Sequence, residues 1–163
     1  MTTHQALPMP LVPAAGPTLR TLDRAECEAL LGRQVVGRLA FAYQRRIEIL
    51  PLHYVWADGW LYGRTSPGLK LDSWRHSPWV AFEVDEVRDT FDWTSVVVHG
   101  TLQLLAADAP PAEAAAWERG VTLLRRIVPE TLTAHDPVSA RSQLFRIHAD
   151  EVTGRAARPP QPS

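Results

Sequence analysis

The chain has 163 residues, which suits one folded domain and is too short for two well-formed cores. Hydrophobic residues make up 45% of the sequence and charged residues 21%, which is the composition of a globular protein. The formal net charge is -1 and no block of like charge occurs. This argues against nucleic acid or an anionic membrane as the main partner, because both attract a basic face.

Both ends of the sequence are rich in proline and lack periodicity. Residues 1–18 and 155–163 are therefore predicted to be disordered arms, and residues 19–154 to form the domain. The single cysteine, Cys27, cannot build a disulfide framework, and no stretch reaches the ~20 apolar residues that would cross a bilayer. With no signal peptide visible, the sequence predicts a cytoplasmic protein.

One helix followed by three strands is predicted in the first half of the domain. Asp23 with Glu26 begins the helix, because this spacing forms a capping box. The sequence Asp58-Gly59 indicates a hairpin between two strands. Pro51, inside the second strand, implies a bulge or an unpaired edge, since proline donates no ladder hydrogen bond. The predicted strands are residues 35–42, 47–56 and 60–65, with a turn at residues 43–46.

The second half is predicted to contain two helices and three further strands. The helices span residues 69–75 and 112–127, and the strands span residues 79–87, 95–105 and 143–152, with a bend at Gly100. Six short strands with two or three helices favour a small β-barrel over a parallel α/β sheet. Neither a G-x-G-x-x-G sequence nor a Walker loop occurs, which excludes Rossmann and P-loop nucleotide binding.

The most informative stretch, residues 61–70, joins the third strand to the next helix. Arg64 can grip a phosphate through its planar guanidinium group, while Thr65 and Ser66 offer hydroxyls. Lys70 adds a point charge at the start of the helix, whose N-terminus is itself positive. The same residues also fit an ordinary β-turn with two solvated cations, and spacing alone does not decide between the two interpretations.

Two other stretches carry weaker signals. Trp93 and Ser95 lie on one face of a strand and could flank a flat ligand, although a half-buried strand is the commoner meaning of this pattern. Around Pro51 the backbone loses a ladder partner, and the freed groups could meet the polar edge of a heteroaromatic ring. His53 follows Pro51 by two positions and so shares its face of the strand.

Other kinds of site find little support in the sequence. The six histidines show no paired spacing, which argues against a metal site. No serine or cysteine occupies a nucleophile elbow. Cys27 lies among Glu26, Glu28, Leu30 and Leu31 in its predicted helix, surroundings that do not activate a thiolate, so we interpret it as a packed thiol.

Taken together, these stretches resemble the pyridoxamine-phosphate-oxidase-like, FMN-binding split-barrel family, in the branch of flavin-nucleotide-binding proteins related to nitroimidazole-resistance proteins. The resemblance implies a mainly β (α+β) fold: a six-stranded Greek-key split β-barrel with two or three peripheral helices. It also implies a homodimer with FMN at the interface. The matching pieces are VGRLA (36–40), ILPL (49–52), LYGRT (61–65), GLK (68–70), SPWVAFEVD (77–85) and WTSVVVHG (93–100).

The resemblance also assigns roles to the residues singled out above. Arg64, Thr65 and Lys70 match phosphate-binding positions, with Ser66 and Gly68 in the same turn. The backbone of Ile49, Leu50, Pro51 and Leu52 would face the isoalloxazine edge. Trp93 and Ser95 would complete the site, from the same chain or from its partner, and His53 would line the substrate side of the flavin.

The function implied by the resemblance is an FMN-dependent oxidoreductase. It would take a hydride from a reduced nicotinamide and reduce a small acceptor such as a nitroaromatic or a quinone. A non-catalytic flavin carrier or sensor is one alternative, and a reductase that uses a deazaflavin in the same groove is another. Haem is the weakest option, because no histidine is singled out as its ligand. Oxidation of the vitamin is disfavoured, because the C-terminal substrate-binding segment of true pyridoxine-phosphate oxidases has no counterpart in residues 155–163.

Overall fold

Seven antiparallel strands and three helices form the fold in the computed structural model, which describes residues 16–68 and 70–160. The strands are β1 (Thr18–Thr21), β2 (Val36–Tyr43), β3 (Arg46–Ala57), β4 (Trp60–Thr65), β5 (Trp79–Asp89), β6 (Asp92–Leu105) and β7 (Gln143–Arg158). The helices are α1 (Arg24–Arg33), α2 (Lys70–His76) and α3 (Pro111–Leu124).

Six of the strands close into a ring in the order β2-β3-β4-β7-β6-β5, and β5 pairs again with β2. This confirms the predicted split β-barrel of α+β class. The seventh strand, β1, lies outside the ring and pairs with the end of β7, where Thr18 faces Arg158 and Thr21 faces Arg155.

The paired strands extend beyond the predicted domain boundaries at both ends. Residue 18 and residues 155–158, assigned to the disordered arms, lie in paired strands. The reason is burial: Ala156 and Ala157 are fully buried between β1 and β6, so β7 continues until the prolines begin at Pro159. The rest of the predicted arms, residues 1–15 and 161–163, lies outside the described residues, as does Leu69, the predicted first residue of α2.

The predicted turns are confirmed as tight hairpins. Gln44 and Arg45 have φ values of 45° and 67°, and Asp58 and Gly59 have φ values of 50° and 81°. Two central residues with positive φ are the mark of a type I′ turn, whose twist matches that of the two strands it joins. These turns fix the register of β3 against both β2 and β4.

The predicted start of α1 is also confirmed. Asp23 is the N-cap, and its side chain and that of Glu26 form a reciprocal capping box. The helix buries Leu30 and Leu31 against the barrel, and the Tyr54 hydroxyl donates a hydrogen bond of 2.7 Å to the carbonyl oxygen of Leu31.

The strand β7 closes the barrel, because it pairs with strands on both of its edges. It pairs with β6 along most of its length, with β4 through its first part and with β1 through its last part. The register with β6 shifts between His99 and Gly100, which confirms the predicted bend. A Cβ at Gly100 would lie 1.9 Å from the carbonyl oxygen of His148, so only glycine allows this approach.

Two apolar cores result. The larger fills the barrel, and the smaller lies on its outside, between α3 and the outer face of β4. Tyr62 belongs to this outer core, and Arg64, two residues further along β4, points to the same side. The segment after α3, residues 125–142, therefore covers the end of β4, where sequence analysis places the candidate site.

Candidate functional site

The barrel opens along one edge of β3. The strand β4 pairs with β3 only from Tyr54 to Ala57, so β3 residues 46–53 have a strand partner on the β2 side alone among the described residues. The predicted stretch Ile49, Leu50, Pro51 and Leu52 lies in this part. The expectation of an unpaired edge at Pro51 is confirmed, and the edge leaves backbone groups free for a ligand.

The turn that follows β4 leads to the same opening. Beyond Thr65, which is buried, the chain passes through Ser66 and Gly68 to Lys70 at the start of α2. A cavity of about 180 Å³ lies here, which we call the split cavity; it is lined by Phe41, Tyr43, Glu48, Leu50 and Lys70. Lys70 and the unpaired part of β3, through Glu48 and Leu50, therefore line one space.

Lys70 shares its cavity with one carboxylate, Glu48, which pairs with Arg46 and not with the lysine. Among the ion pairs of residues 16–68 and 70–160, none involves Lys70. Partial burial and the nearby positive charge of Arg141 lower the pKa of the lysine ammonium. An anion bound at this point would favour the charged form of the lysine and so oppose the lowering of its pKa.

Arg64 has a partner that the sequence did not indicate. Its two terminal guanidinium nitrogens donate to the two carboxylate oxygens of Asp136, and both side chains are buried. The same carboxylate accepts hydrogen bonds from the backbone amides of Leu132, at 2.8 Å, and Val138, at 2.9 Å. These contacts hold the pKa of the Asp136 carboxyl well below its ordinary value of 3.8.

The ion pair changes how Arg64 is interpreted. A guanidinium that is already bound in a bidentate pair offers a phosphate little net charge. Its assignment to the phosphate stays a prediction, whereas Lys70, the other predicted phosphate-binding cation, forms no ion pair among the described residues. The partner was missed because Asp136 is separated from Arg64 by 72 positions and lies in an irregular segment without periodicity.

His53 lies at the mouth of a second cavity on the outside of the barrel, which we call the outer cavity. It has a volume of about 180 Å³, and Arg64 and Arg141 line it together with His53. The predicted orientation of His53, on the same outward face as Pro51, agrees with the alternating burial of β3. Arg141, which the sequence did not single out, lines this cavity, and its positive charge contributes to the lowered pKa of Lys70.

Trp93 and Ser95 lie elsewhere in the same chain. Trp93 lines a surface depression with β1, and the Ser95 hydroxyl donates a hydrogen bond of 3.0 Å to Glu83. Arg64 pairs with β7 at Leu144, whereas Trp93 pairs thirteen residues further along the same strand. Measured along the strand at about 3.3 Å per residue, this is roughly 40 Å, so Arg64 and Trp93 lie toward opposite ends of β7 and not side by side.

A broad apolar surface runs along the outer face of β2, β3 and β5 beside the opening. Ile47, Ile49 and Trp79 are 68%, 63% and 69% exposed. Ile47 and Trp79 line a depression of about 380 Å³, together with Ala40 and Ala81. Monomeric proteins rarely expose large contiguous apolar patches, so this surface is suited to contact with another molecule.

The described part of the chain contains neither a metal site nor an activated cysteine nor a membrane-spanning helix. Within residues 16–68 and 70–160, no three histidine, cysteine or acidic side chains are grouped as metal ligands. Cys27 is 1% exposed and burial raises the pKa of its thiol, as expected of a packed side chain. No helix among these residues is long and apolar enough to cross a membrane.

Comparison with known proteins gives a consistent result. The family model described as pyridoxamine 5'-phosphate oxidase matches residues 23–156. An FAD-binding protein from Mesorhizobium loti is 31% identical, with a TM-score of 0.69, and the match covers 88% of this chain and 99% of that one. An uncharacterized protein from Rhizobium meliloti is 28% identical over 151 residues, which are 85% of this chain and 95% of the relative.

A third protein shares the fold alone. A candidate 5-nitroimidazole antibiotic resistance protein from Bacteroides thetaiotaomicron is 11% identical, with a TM-score of 0.65, and the match covers 94% of this chain and 96% of that one. The family model confirms the resemblance to the pyridoxamine 5'-phosphate oxidase family that the sequence indicated. With a family model that spans most of its length and a split barrel opened beside β3, the chain belongs to the pyridoxamine 5'-phosphate oxidase family.

Proposed function

We propose that the protein binds a flavin nucleotide in the opening between β3 and α2 and acts as a reductase. The observation that carries the proposal is the unpaired edge of β3 beside a lysine that forms no ion pair among the described residues. The flat ring of a flavin has a polar edge, and the nucleotide has a phosphate, so the two halves of the site correspond to the two ends of one ligand. The similarity to the FAD-binding protein from M. loti supports the same ligand class.

The residues present fit such a ligand. The free backbone groups of residues 49–52 would bind the polar edge of the ring. Lys70, with the hydroxyls of Thr65 and Ser66 and the backbone at Gly68, would hold the phosphate. When bound, a flavin supplies hydride transfer, and the protein contributes position and electrostatics.

FAD contains the isoalloxazine ring and the phosphate of FMN, which are the two groups that this site would bind. The site would therefore accept either nucleotide. The sequence predicts FMN, whereas the M. loti relative favours FAD. Mass spectrometry of the cofactor released from the purified protein distinguishes the two and would also detect a deazaflavin. A protein that purifies without any of these cofactors and does not take up FMN or FAD would contradict the proposal.

The proposed reaction is reduction of a small acceptor, such as a nitroaromatic or a quinone, by a reduced nicotinamide. Its test is the consumption of NADH or NADPH by the flavin-loaded protein, with and without each acceptor. If the flavin is bound but no donor and acceptor pair is turned over, the protein is a flavin carrier or sensor instead.

Replacing Lys70 by methionine should weaken FMN binding far more than riboflavin binding, because only FMN carries the phosphate. A charge-assisted hydrogen bond contributes about 1.5–3 kcal/mol, which corresponds to about 10- to 150-fold in affinity. Both ligands are titrated by the quenching of flavin fluorescence. Arg75→Met, an exposed cation on the same helix, is the matched control and should change neither affinity. Equal losses for FMN and riboflavin in Lys70→Met would place the phosphate elsewhere.

We further propose a homodimer formed through the apolar outer face of β2, β3 and β5. Exposed Trp79 and Ile47 would be covered by the second copy, which could also bring Trp93 and Ser95 to the opening that one chain leaves incomplete. The variant carrying Ile47→Lys and Trp79→Lys should be monomeric by light scattering at micromolar concentration, whereas the unaltered protein should be dimeric.

The matched control for the dimer is Ala115→Lys, which changes an exposed apolar residue of α3, on neither the proposed interface nor the depression that holds Trp93. It should leave the dimer intact. A monomeric unaltered protein with its flavin bound, or a dimer that survives both lysines, would contradict the proposed interface.

A further inference from the structure

The outer cavity has the size of one ring. Its volume is about 180 Å³, somewhat larger than the cavity of about 150 Å³ that holds benzene in other proteins. Most of its wall is apolar and comes from the end of α3 and the segment after it, including Leu124, Ile127, Val128 and Val138. A phenyl ring or a branched aliphatic chain would fill this space and be removed from water.

The polar groups of the cavity are all positive or neutral. Arg64, Arg141 and His53 line it, and no carboxylate does. Asp136 neutralises Arg64 and has both oxygens engaged there. Arg141 forms no ion pair with any side chain of residues 16–68 and 70–160, and its charge acts on Lys70. The cavity therefore combines an apolar wall with one uncompensated positive charge.

We propose that the outer cavity binds a small monocarboxylic acid with an aromatic or branched aliphatic body. The body would lie against the apolar wall, and Arg141 would hold the carboxylate, whose two oxygens match the guanidinium fork. His53, at the mouth, would donate a further hydrogen bond. A phosphate fits less well, because apolar walls leave its remaining oxygens without partners.

The location gives this ligand a place in the proposed reaction. His53 is the last residue of the part of β3 that lacks a partner on the β4 side, so the outer cavity adjoins the opening assigned to the flavin. The outer cavity would select acids rather than neutral compounds among the small substrates of the proposed reductase, so this assignment rests on the proposed function. Binding of the acid itself needs only the cavity, so it can be measured separately from flavin binding.

The experiment compares benzoate with benzamide, its neutral isostere, by isothermal titration calorimetry on the purified full-length protein. Benzoate should bind at least about tenfold more tightly than benzamide, since the amide gains no ionic contact with Arg141. Arg141→Met should remove this preference. Val138→Trp, at the exposed edge of the cavity, should weaken both ligands by filling their space. Arg126→Met, an exposed cation of the same segment, should change neither.

Equal affinity for the two ligands, a benzoate preference that survives Arg141→Met, or the absence of benzoate binding would each overturn the inference. Thermal unfolding of every variant is measured, and a preserved transition assigns a loss to the site rather than to the fold. Flavin content is determined on the same samples. Protein that holds flavin and not benzoate contradicts the acid site alone, and protein that binds benzoate and no flavin contradicts the proposed function alone.

Discussion

Asp136→Ala should lower the free energy of unfolding by about 3–5 kcal/mol, the usual effect of removing one partner of a buried ion pair. The guanidinium of Arg64 would remain buried without its counter-ion, and the backbone amides of Leu132 and Val138 would lose their acceptor. The segment that covers the end of β4 would lose its main polar anchor. Urea denaturation followed by tryptophan fluorescence measures the change.

The double variant Arg64→Met with Asp136→Leu is the matched control. It removes both charges and keeps apolar volume, so it should recover much of the stability lost in Asp136→Ala. If the double variant is as unstable as the two single variants combined, the pair itself contributes the stability and the explanation by an orphaned charge is wrong.

The ion pair also predicts a pH dependence. The pKa of Asp136 is lower in the folded chain than its ordinary value of 3.8, so the unfolded chain binds the proton more readily. The contribution of Asp136 to stability is therefore fully present above that ordinary value and is lost as the pH falls toward the folded pKa. Asp136→Asn should lack this part of the acid sensitivity.

Gly100→Ala should destabilise the barrel by about 3 kcal/mol or more, at the upper end of the range for overpacking. The added methyl would lie 1.9 Å from the carbonyl oxygen of His148, and both groups belong to paired backbone, so neither can move alone. The shift of register between β6 and β7 occurs at this glycine, and a displaced backbone would disturb the pairing on both sides. The denaturation midpoint measures the effect.

Gly32→Ala is the control for the loss of a glycine. Gly32 lies in α1, and no atom is within 4 Å of the position that a Cβ would occupy. Alanine there should raise stability by about 0.5–1 kcal/mol, because it has less conformational freedom to lose on folding. Similar effects at Gly32 and Gly100 would show that the close approach in the barrel is not what constrains Gly100.

The sequence predicted well those features that depend on neighbouring residues. The Asp23 and Glu26 capping box and the Asp58-Gly59 hairpin each rest on a few adjacent positions with strong backbone preferences. Pro51 likewise indicated an unpaired edge, because the missing donor is a property of that residue itself. Closure of six strands into a barrel was predicted from their number, although β3, β5, β6 and β7 are all longer than the predicted spans.

The features that were missed depend on distant partners. β1 has only four residues, all exposed, so it shows no alternation and exists because β7 offers it an edge. The end of β7 was assigned to a proline-rich tail, although its alanines are buried by pairing on both sides. Asp136 could not be assigned to Arg64 because nothing in an irregular segment determines which strand it will contact.

The position of β7 in the chain has a consequence for biosynthesis. β7 is the last strand in chain order among the described residues, yet β1, β4 and β6 all need it as a partner. Until β7 has been synthesised, the edges of β1, β4 and β6 that pair with it stay unpaired. Unpaired strand edges can pair with other chains and cause aggregation. Contacts that span most of the sequence also make folding slow. We therefore expect nascent chains to gain their native structure only after β7 has left the ribosome, and to depend on chaperones until then.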